Sequence, residues 1–203
     1  IASAMEICGW QHLQLSNDSF FVGKDITELE IDLSAIAKGF GADNVASALD
    51  ASGVTDYMIE VGGEVRVRGN SGKQRPWRLA IDSPNAKNYA RVIELTSGAI
   101  ATSGDYRNMR IVDGELVSHT IDPTTGRPIT HNLASVSIVA QNCTIADAMA
   151  TACMVLGADA GLELIERTAN VEAYFSTRIS ESAFITSQSS GFPYPLKIPS
   201  KIS

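Results

Sequence analysis

Two oxygen-bearing side chains stand one helical turn apart in the segment ADAMATA, namely Asp147 and Thr151. On an α-helix this spacing places both on the same face. A carboxylate and a hydroxyl are hard oxygen ligands, which magnesium accepts while it keeps water and phosphate in its other positions. The same residues also fit an ordinary helix start, with Thr144 as the N-cap and Asp147 in the first turn. The pair alone leaves both interpretations open.

The segment DLSAIAKGFGAD has the residue types of an anion site. Asp32 and Ser34 precede a predicted helix, and the first N–H groups of a helix lack helical partners and attract anions. Lys38 adds a full positive charge, and Gly39 and Gly41 let a ligand approach the backbone. The segment lacks the third glycine of a dinucleotide fingerprint. The simpler alternative is that Ser34 is an N-cap and Lys38 is a solvated side chain.

His119 opens the segment HTIDPTTGRP, in which Asp122, Pro123 and Gly126 suffice to form a tight turn. The turn therefore gives no reason for the histidine. An imidazole, with an unperturbed pKa of ~6.5, can accept a proton from a hydroxyl group near neutral pH. A solvated histidine on an edge strand is the alternative.

Two further segments contain polar residues beside glycine. In ATSGDYRN, the small residues permit close approach and hydroxyls such as that of Ser103 can contact phosphate, although a bent strand explains them equally. In EVGGE, Glu60 and Glu64 flank two glycines that mark a bulge or tight bend. Their sequence spacing alone does not establish an acid–base pair.

Composition excludes several classes of protein. The 203 residues carry a net charge of −7 with no basic run, which disfavours a nucleic-acid-binding protein. The three cysteines, Cys8, Cys143 and Cys153, form no CxxC pair, so neither a disulfide framework nor structural zinc is indicated, and buried thiols are expected. No apolar run reaches the ~20 residues of a membrane span.

Strands dominate the predicted elements, without regular βαβ alternation. This favours an α+β fold of mixed, largely antiparallel sheets with a few packed helices. Strands are predicted in QHLQL, SFFVG, ELEIDLS, YMIEV, EVRVRG, WRLAID, ARVIELTSGAIATSGDY (two strands), LASVSIVAQ, VEAYFST and SAFITS. Helices are predicted in IASAMEI, in AIAKGFGADNVASALDASGV with Gly53 as a C-terminal cap, and in TIADAMATACMVLGADAGLELIERT with a break near Gly157.

Asp113-Gly114 predicts a two-residue hairpin turn between RNMRIV and ELVSHTI. In that register Val112 faces Glu115 and Asn108 faces His119. His119 then shares a face of the hairpin with Tyr106 and Asn108.

The motifs DLSAIAKGFGAD, EVGGE, ATSGDYRN, HTIDPTTGRP and ADAMATA occur in the order seen in one family. The chain closely resembles the ApbE-type flavin transferases, the FAD:protein FMN transferases, from about Trp10 to the last hairpin. The resemblance implies magnesium-dependent transfer of FMN from FAD to a threonine or serine hydroxyl of a target protein, through a phosphoester bond, with release of AMP. The implied targets are flavin-bearing subunits of membrane redox complexes.

The resemblance also implies roles for particular residues. His119 would act at the transfer step. The residues implied to contact FAD are Asp32, Lys38, Ser103 and Ile121. The residues implied to bind magnesium are Asp147, Thr151 and, through its backbone carbonyl, Ala35. Ala150 occupies a position where some relatives carry a further acid, which implies weaker metal binding here.

A free carbonyl at Ala35 places a condition on the local structure, because a carbonyl inside a helix is normally hydrogen-bonded. We therefore expect the helix to begin nearer Gly39, with residues 32–38 in a loop.

We expect one domain, residues 1–203, that lacks the N-terminal portion of the family, which supplies part of the FAD pocket. Relatives imply a location on the periplasmic side of the bacterial inner membrane, with a lipid anchor in that missing portion. Three alternatives remain open: an FAD pyrophosphatase that releases FMN and AMP, a non-catalytic FAD-binding protein, and an interaction domain without a small-molecule ligand.

Overall fold

The computed structural model describes residues 1–16, 18, 21–85, 89–105, 110–112, 115–180 and 182–193. The helices are α1 (Ala2–Met5), α2 (Ser34–Ala51), α3 (Cys143–Leu156) and α4 (Ala158–Glu166). The strands are β1 (Leu13–Leu15), β2 (Val22–Lys24), β3 (Tyr57–Val61), β4 (Glu64–Arg68), β5 (Trp77–Asp82), β6 (Tyr89–Leu95), β7 (Ser97–Gly104), β8 (Arg110–Val112), β9 (Glu115–Val117), β10 (Ile121–Asp122), β11 (Arg127–Pro128), β12 (Leu133–Ala140), β13 (Val171–Arg178) and β14 (Phe184–Gln188).

A six-stranded sheet in the order β14-β13-β12-β7-β4-β3 forms the centre of the fold, and each neighbouring pair is antiparallel. The described residues also form four two-stranded sheets, β1-β2, β5-β6, β8-β9 and β10-β11. The predicted α+β class with largely antiparallel sheets is confirmed.

Both faces of the central sheet are covered. On one face, Ala101 of β7, Ile138 of β12 and Phe175 of β13 pack against helical residues such as Ala42 and Cys153. On the other face, a second apolar cluster joins strands of the sheet to the β5-β6 hairpin; its members include Val67, Leu79, Ile93, Ile100 and Tyr174. Burial on both faces explains why LASVSIVA in β12 is nearly continuously buried instead of alternating.

The hairpin predicted around Asp113-Gly114 is confirmed in its described strands, because Val112 faces Glu115. Its turn, Tyr106 and Asn108 lie outside the described residues.

The break between two helices at Gly157 is also confirmed. Buried thiols are found at Cys143 and Cys153, whereas Cys8 is exposed, contrary to expectation.

Three predictions around α2 are wrong. ELEIDLS forms no strand, because the backbone is irregular up to Leu33 and α2 begins at Ser34. The expected loop over residues 32–38 is therefore also wrong, since α2 runs without a break from Ser34 to Ala51. Ser34 itself is not the N-cap; Leu33 occupies that position without a side-chain cap.

None of the helices in the described part of the chain is long and apolar enough to cross a membrane.

Candidate functional site

A cavity of about 380 Å³ lies where α2, α3 and the central sheet meet. Its walls come from the first turns of α2, the β3-β4 turn, the ends of β5 and β7, the segment before β10, and one face of α3. The predicted residues that line it are Lys38, Ser103, His119, Asp147 and Thr151. These predicted side chains come from four distant parts of the sequence and meet at one cavity.

Helix α3 presents Asp147 and Thr151 on the face predicted from their spacing. Asp147 is only 4% exposed, and its Oδ2 accepts a hydrogen bond of 2.9 Å from the backbone N–H of Gly39. The Thr151 hydroxyl lies 3.4 Å from the Ser103 hydroxyl on β7. The side chains of Asp147, Thr151 and Ser103 thus place their oxygen atoms close together in the cavity.

Asp43 of α2 fixes the start of α3. Its Oδ1 accepts from the Cys143 N–H at 2.9 Å, and its Oδ2 accepts from the Thr144 N–H at 2.8 Å. Asn142 is the N-cap, because its side chain accepts from the Ile145 N–H at 2.8 Å. The prediction that Thr144 is the N-cap is therefore wrong. Asp147 then lies beyond the first turn of α3, so helix capping does not explain this residue. Asp43 gave no local sequence signal, since its partners are about a hundred residues away.

Gly39 permits the close crossing of α2 and α3. A Cβ at this position would overlap the Cys143 carbonyl oxygen and would lie 2.8 Å from the Asp147 Cβ. The Gly39 N–H donates to Asp147, although its regular helical partner would be the carbonyl of Ala35. The carbonyl of Ala35 therefore competes with a buried carboxylate for this donor.

Lys38 and Glu64 form an ion pair in the same cavity, in which Lys38 Nζ donates to Glu64 Oε1. The Lys38 stem crosses Gly62, where a Cβ would lie 2.9 Å from Lys38 Cδ. Gly62 and Gly63 both have positive φ values, so they form the tight bend predicted for EVGGE. Glu60, on the other side of the bend, is exposed and does not line the cavity.

The Glu64 side chain is 2% exposed and its Oε2 accepts from the Thr102 N–H at 3.4 Å. Burial raises the pKa of Glu64, and the nearby charge of Asp147 adds to this effect, while Lys38 opposes it. The sequence analysis singled out Glu64 but gave it no role. Its position in the cavity makes it part of the candidate site.

His119 is exposed at the cavity between β9 and β10. The turn that follows it closes without it, because Asp122 Oδ1 accepts from the Thr124 N–H at 2.8 Å and the Asp122 carbonyl accepts from the Gly126 N–H at 2.8 Å. Hydrogen bonds from Thr124 also lower the pKa of Asp122. His119 is therefore separate from the turn and faces the same cavity as Asp147 and Thr151.

Three residues that were predicted to bind FAD or magnesium are not among the described residues that line the cavity. Asp32 Oδ1 accepts from the Ser34 N–H at 2.7 Å and from the Ser34 hydroxyl, which lowers its pKa and ties down the start of α2. Ile121 pairs with Pro128 and is 48% exposed. Ala35 lies within α2, and its carbonyl is the group that matters. Their roles toward FAD or magnesium stay predictions.

The oxygen donors fit a magnesium ion better than a softer metal. No group of three or more His, Cys, Asp or Glu side chains suited to a metal exists among the described residues. The cavity instead offers the carboxylate of Asp147 and the hydroxyls of Thr151 and Ser103. Magnesium accepts such a small set of hard ligands, because water and phosphate oxygens complete its shell.

The fold and cavity define an α+β protein in which two crossing helices and the ends of interior strands of an antiparallel sheet enclose a cluster of oxygen donors beside one ion pair. Residues 1–175 match the sequence model of the ApbE family. The chain therefore belongs to the ApbE family, and the resemblance inferred from the ordered motifs is confirmed.

Named relatives support this assignment. The FAD:protein FMN transferase of Vibrio cholerae serotype O1 is 45% identical over 162 residues, 79% of this chain and 48% of that protein. The Escherichia coli K12 protein of the same name is 40% identical over 178 residues, 86% of this chain and 50% of that protein. The chain spans about half the length of the curated relatives it matches.

Solved structures agree with the fold. The apo flavinyl transferase ApbE of Pseudomonas stutzeri superposes with a TM-score of 0.83 at 38% identity, over 95% of this chain and 58% of that one. The flavin transferase ApbE of Vibrio cholerae gives a TM-score of 0.82 at 39% identity, over 94% of this chain and 60% of that one.

Proposed function

We propose that the protein transfers FMN from FAD to a threonine or serine hydroxyl of an acceptor protein, with magnesium as cofactor. One observation carries the proposal: His119, Lys38, Asp147 and Thr151 line a single cavity of about 380 Å³. The relatives named FAD:protein FMN transferase support the same activity.

The reaction exchanges the phosphoanhydride bond of FAD for a phosphoester bond to the acceptor. The acceptor oxygen attacks the phosphorus of the FMN half of FAD, and the bond from that phosphorus to the bridging oxygen breaks. AMP leaves with the bridging oxygen, and the acceptor hydroxyl loses its proton. His119 is exposed at the cavity, where it can accept that proton.

The remaining residues bind and orient the diphosphate. Lys38, which lines the cavity, would contact the oxygens of the diphosphate. Asp147, Thr151 and the carbonyl of Ala35 would hold magnesium, which when bound neutralises charge on the phosphate oxygens. Ser103, beside Thr151, is a further hydroxyl for the ligand or for the hydration shell of the metal.

The acceptor protein and the compartment belong to the same proposal. We propose flavin-bearing subunits of membrane redox complexes as acceptors, on the periplasmic side of the inner membrane, with a lipid anchor on the transferase. The acceptor hydroxyl must reach His119, so an extended and exposed acceptor segment fits best.

The test uses the protein expressed in full from its gene, with FAD, magnesium chloride and a threonine-containing peptide from a candidate acceptor subunit. We expect covalent flavin fluorescence and the added mass of FMN on the peptide, with one AMP released per peptide modified. The same peptide with valine in place of threonine is the control and stays unmodified.

Two results would redirect the assignment. Release of FMN and AMP without any labelled peptide indicates a pyrophosphatase in which water replaces the acceptor. FAD binding without turnover indicates a flavin-binding protein. Either result contradicts the transferase.

A further inference from the structure

Strand β3 is an end strand of the six-stranded sheet, so its outer edge has no neighbouring strand among the described residues. The strand pairs with β4 in continuous register from Tyr57 to Val61. Neither a bulge nor a proline interrupts it, although natural sheets often use such features to prevent further pairing at an exposed edge. Within the described part of the chain, this edge is therefore open to another extended segment.

The β3-β4 turn determines which backbone groups face the outer edge of β3. Gly62 and Gly63 have φ values of 59° and 101°, which fit a two-residue type I′ turn. The pair that flanks such a turn is hydrogen-bonded, and hydrogen-bonded pairs then alternate along an antiparallel ladder. The N–H and C=O groups of Met58 and Glu60 consequently point away from β4.

These outward backbone groups are accessible to a partner. Met58 is 48% exposed, and Glu60 is exposed as well. No turn or loop in the described ranges forms a backbone hydrogen bond with either residue. Outward N–H and C=O groups on a regular edge strand can bind an extended peptide as a further strand of the sheet.

Strand β3 leads directly into the candidate site. Gly62 and Gly63, which follow its last residue, line the same cavity as His119. The other end strand of the sheet is β14, and none of its residues is among the described residues of the cavity. A segment paired with β3 would therefore reach the cavity, whereas a segment paired with β14 would not.

The outer edge of β3 is acidic. Glu60 is the only charged side chain of this strand, and it lies on the same face as Met58, because alternate side chains share a face. Among the described residues of the cavity beyond the bend, three are acidic and one is a lysine. A partner strand with an apolar residue opposite Met58 and a lysine or arginine opposite Glu60 would complement both side chains.

We propose that the outer edge of β3 is the docking site for the acceptor protein, which adds an extended segment there as a seventh, antiparallel strand. The inference rests on the proposed function, which requires an acceptor hydroxyl at the cavity. In an antiparallel strand, the residues that follow the acceptor threonine or serine lie along β3, and a basic residue among them faces Glu60. Main-chain hydrogen bonds bind many sequences, and the side chains of Met58 and Glu60 select among them.

The first test blocks the edge in the protein expressed in full from its gene. Met58→Pro removes an outward N–H and places the proline ring against an incoming strand. We expect the kcat/KM for the threonine-containing peptide to fall ~10-fold or more, because a lost hydrogen bond and a steric block act together. The dissociation constant of FAD should stay that of the wild type, because Met58 does not line the cavity.

Thr186→Pro on β14 is the matched control. In that strand the Ser189 N–H donates to the Ala173 carbonyl, so by alternation the N–H of Thr186 also points away from its neighbouring strand. Thr186 is exposed, and the substitution places the same strain on an end strand. We expect wild-type kcat/KM for the peptide, and thermal unfolding is measured for both variants.

A charge exchange tests the selection by Glu60. Two peptides are compared, which carry either lysine or glutamate a few positions after the threonine. Glu60→Lys should lower the kcat/KM of the lysine peptide and raise that of the glutamate peptide, by about twofold to fivefold each. A reversed preference cannot arise from poor folding, so this variant keeps the proposal falsifiable if Met58→Pro does not fold.

Amide hydrogen exchange locates the docked segment without turnover, because the peptide with valine in place of threonine cannot accept FMN. With FAD present, this peptide should slow exchange in β3 and leave β14 unchanged. Slow exchange in β3 before the peptide is added means that another part of the full-length protein covers the edge. Slow exchange that appears only as the protein concentration rises means that a second copy covers it. Either result overturns the inference.

The inference and the proposed function can fail separately. Wild-type kcat/KM in folded Met58→Pro, with no change of preference in Glu60→Lys, overturns the docking site and leaves the proposed function standing. Slowed exchange in β3 without FMN transfer to the threonine peptide contradicts the transferase and leaves the docking site intact.

Discussion

The backbone N–H of Gly39 donates to Asp147 Oδ2 at 2.9 Å, so an amide of α2 holds the principal carboxylate of α3. The two residues are 108 positions apart in the sequence. This bond sets the direction of the Asp147 side chain, and it engages a donor whose regular helical partner is the Ala35 carbonyl. The crossing of two helices therefore orients a buried carboxylate toward the cavity.

The Gly39→Ala variant should be destabilised, because its Cβ would overlap the Cys143 carbonyl oxygen. Overpacking of this kind costs about 1–3 kcal/mol of unfolding free energy. Gly41→Ala in the same helix is the matched control, because the nearest atom to its Cβ is Val61 Cγ1 at 3.8 Å. We expect the control to gain about 0.5–1 kcal/mol from the lower conformational freedom of alanine. Urea unfolding measures both, and equal stabilities would contradict the close helix crossing.

The Asp147→Asn variant should fold but bind magnesium weakly. The asparagine oxygen can still accept from the Gly39 N–H, so the helix crossing is kept. The lost charge should lower the affinity for magnesium by ~10-fold or more in a magnesium titration followed by calorimetry. Asp159→Asn, in the exposed first turn of α4, is the control and should bind magnesium as the wild type does. Full affinity in Asp147→Asn would exclude this residue as a ligand.

Much of the fold could be predicted from the sequence, because its elements are locally encoded. Alternation in YMIEV and EVRVRG, the glycine pair between them and the break at Gly157 each predict structure over a few residues, and each is confirmed. The strand predicted for ELEIDLS failed because alternation is present without a neighbouring strand to pair with it.

The site was predictable in part. The spacing of Asp147 and Thr151 is local and was sufficient to place them on one face. The roles of Asp43 and Glu64 depend on partners that are 100 and 26 residues away, so no local pattern could show them. The start of α2 was misjudged because we required the Ala35 carbonyl to lie outside a helix, whereas α2 begins at Ser34 and includes Ala35.

Two buried thiols make the protein sensitive to alkaline pH. Burial, together with the charges of Asp43, Glu64 and Asp147, raises the pKa of Cys143 from 9.0 to about 12, and burial raises the pKa of Cys153 from 9.0 to about 11. As the pH rises above 9.0, the thiols of the unfolded chain ionise while those of the folded chain stay protonated. The unfolded state is then favoured, and each thiol should lower the free energy of unfolding by about 1 kcal/mol between pH 8 and pH 10.

Urea unfolding at the two pH values tests this effect, with Cys143→Ala/Cys153→Ala beside the wild type. We expect the free energy of unfolding to fall less in the double variant than in the wild type. In Cys8→Ala it should fall as much as in the wild type, because this thiol is exposed in the folded protein. At pH 8 a thiol reagent should modify one cysteine of the native chain and three of the unfolded chain. Reaction of all three in the native protein would contradict the burial.

The His119→Ala variant should lose FMN transfer and keep FAD binding. Removal of a positioned proton acceptor lowers the rate by ~10²–10⁴-fold. His119 lies at the exposed side of the cavity, so we expect the dissociation constant of FAD to change by no more than about threefold. His12→Ala is the control, because His12 Nδ1 is bonded to Asp25 at 2.9 Å and does not line the cavity. Peptide labelling at the wild-type rate by His119→Ala would exclude His119 as the proton acceptor and would require another base for the acceptor hydroxyl.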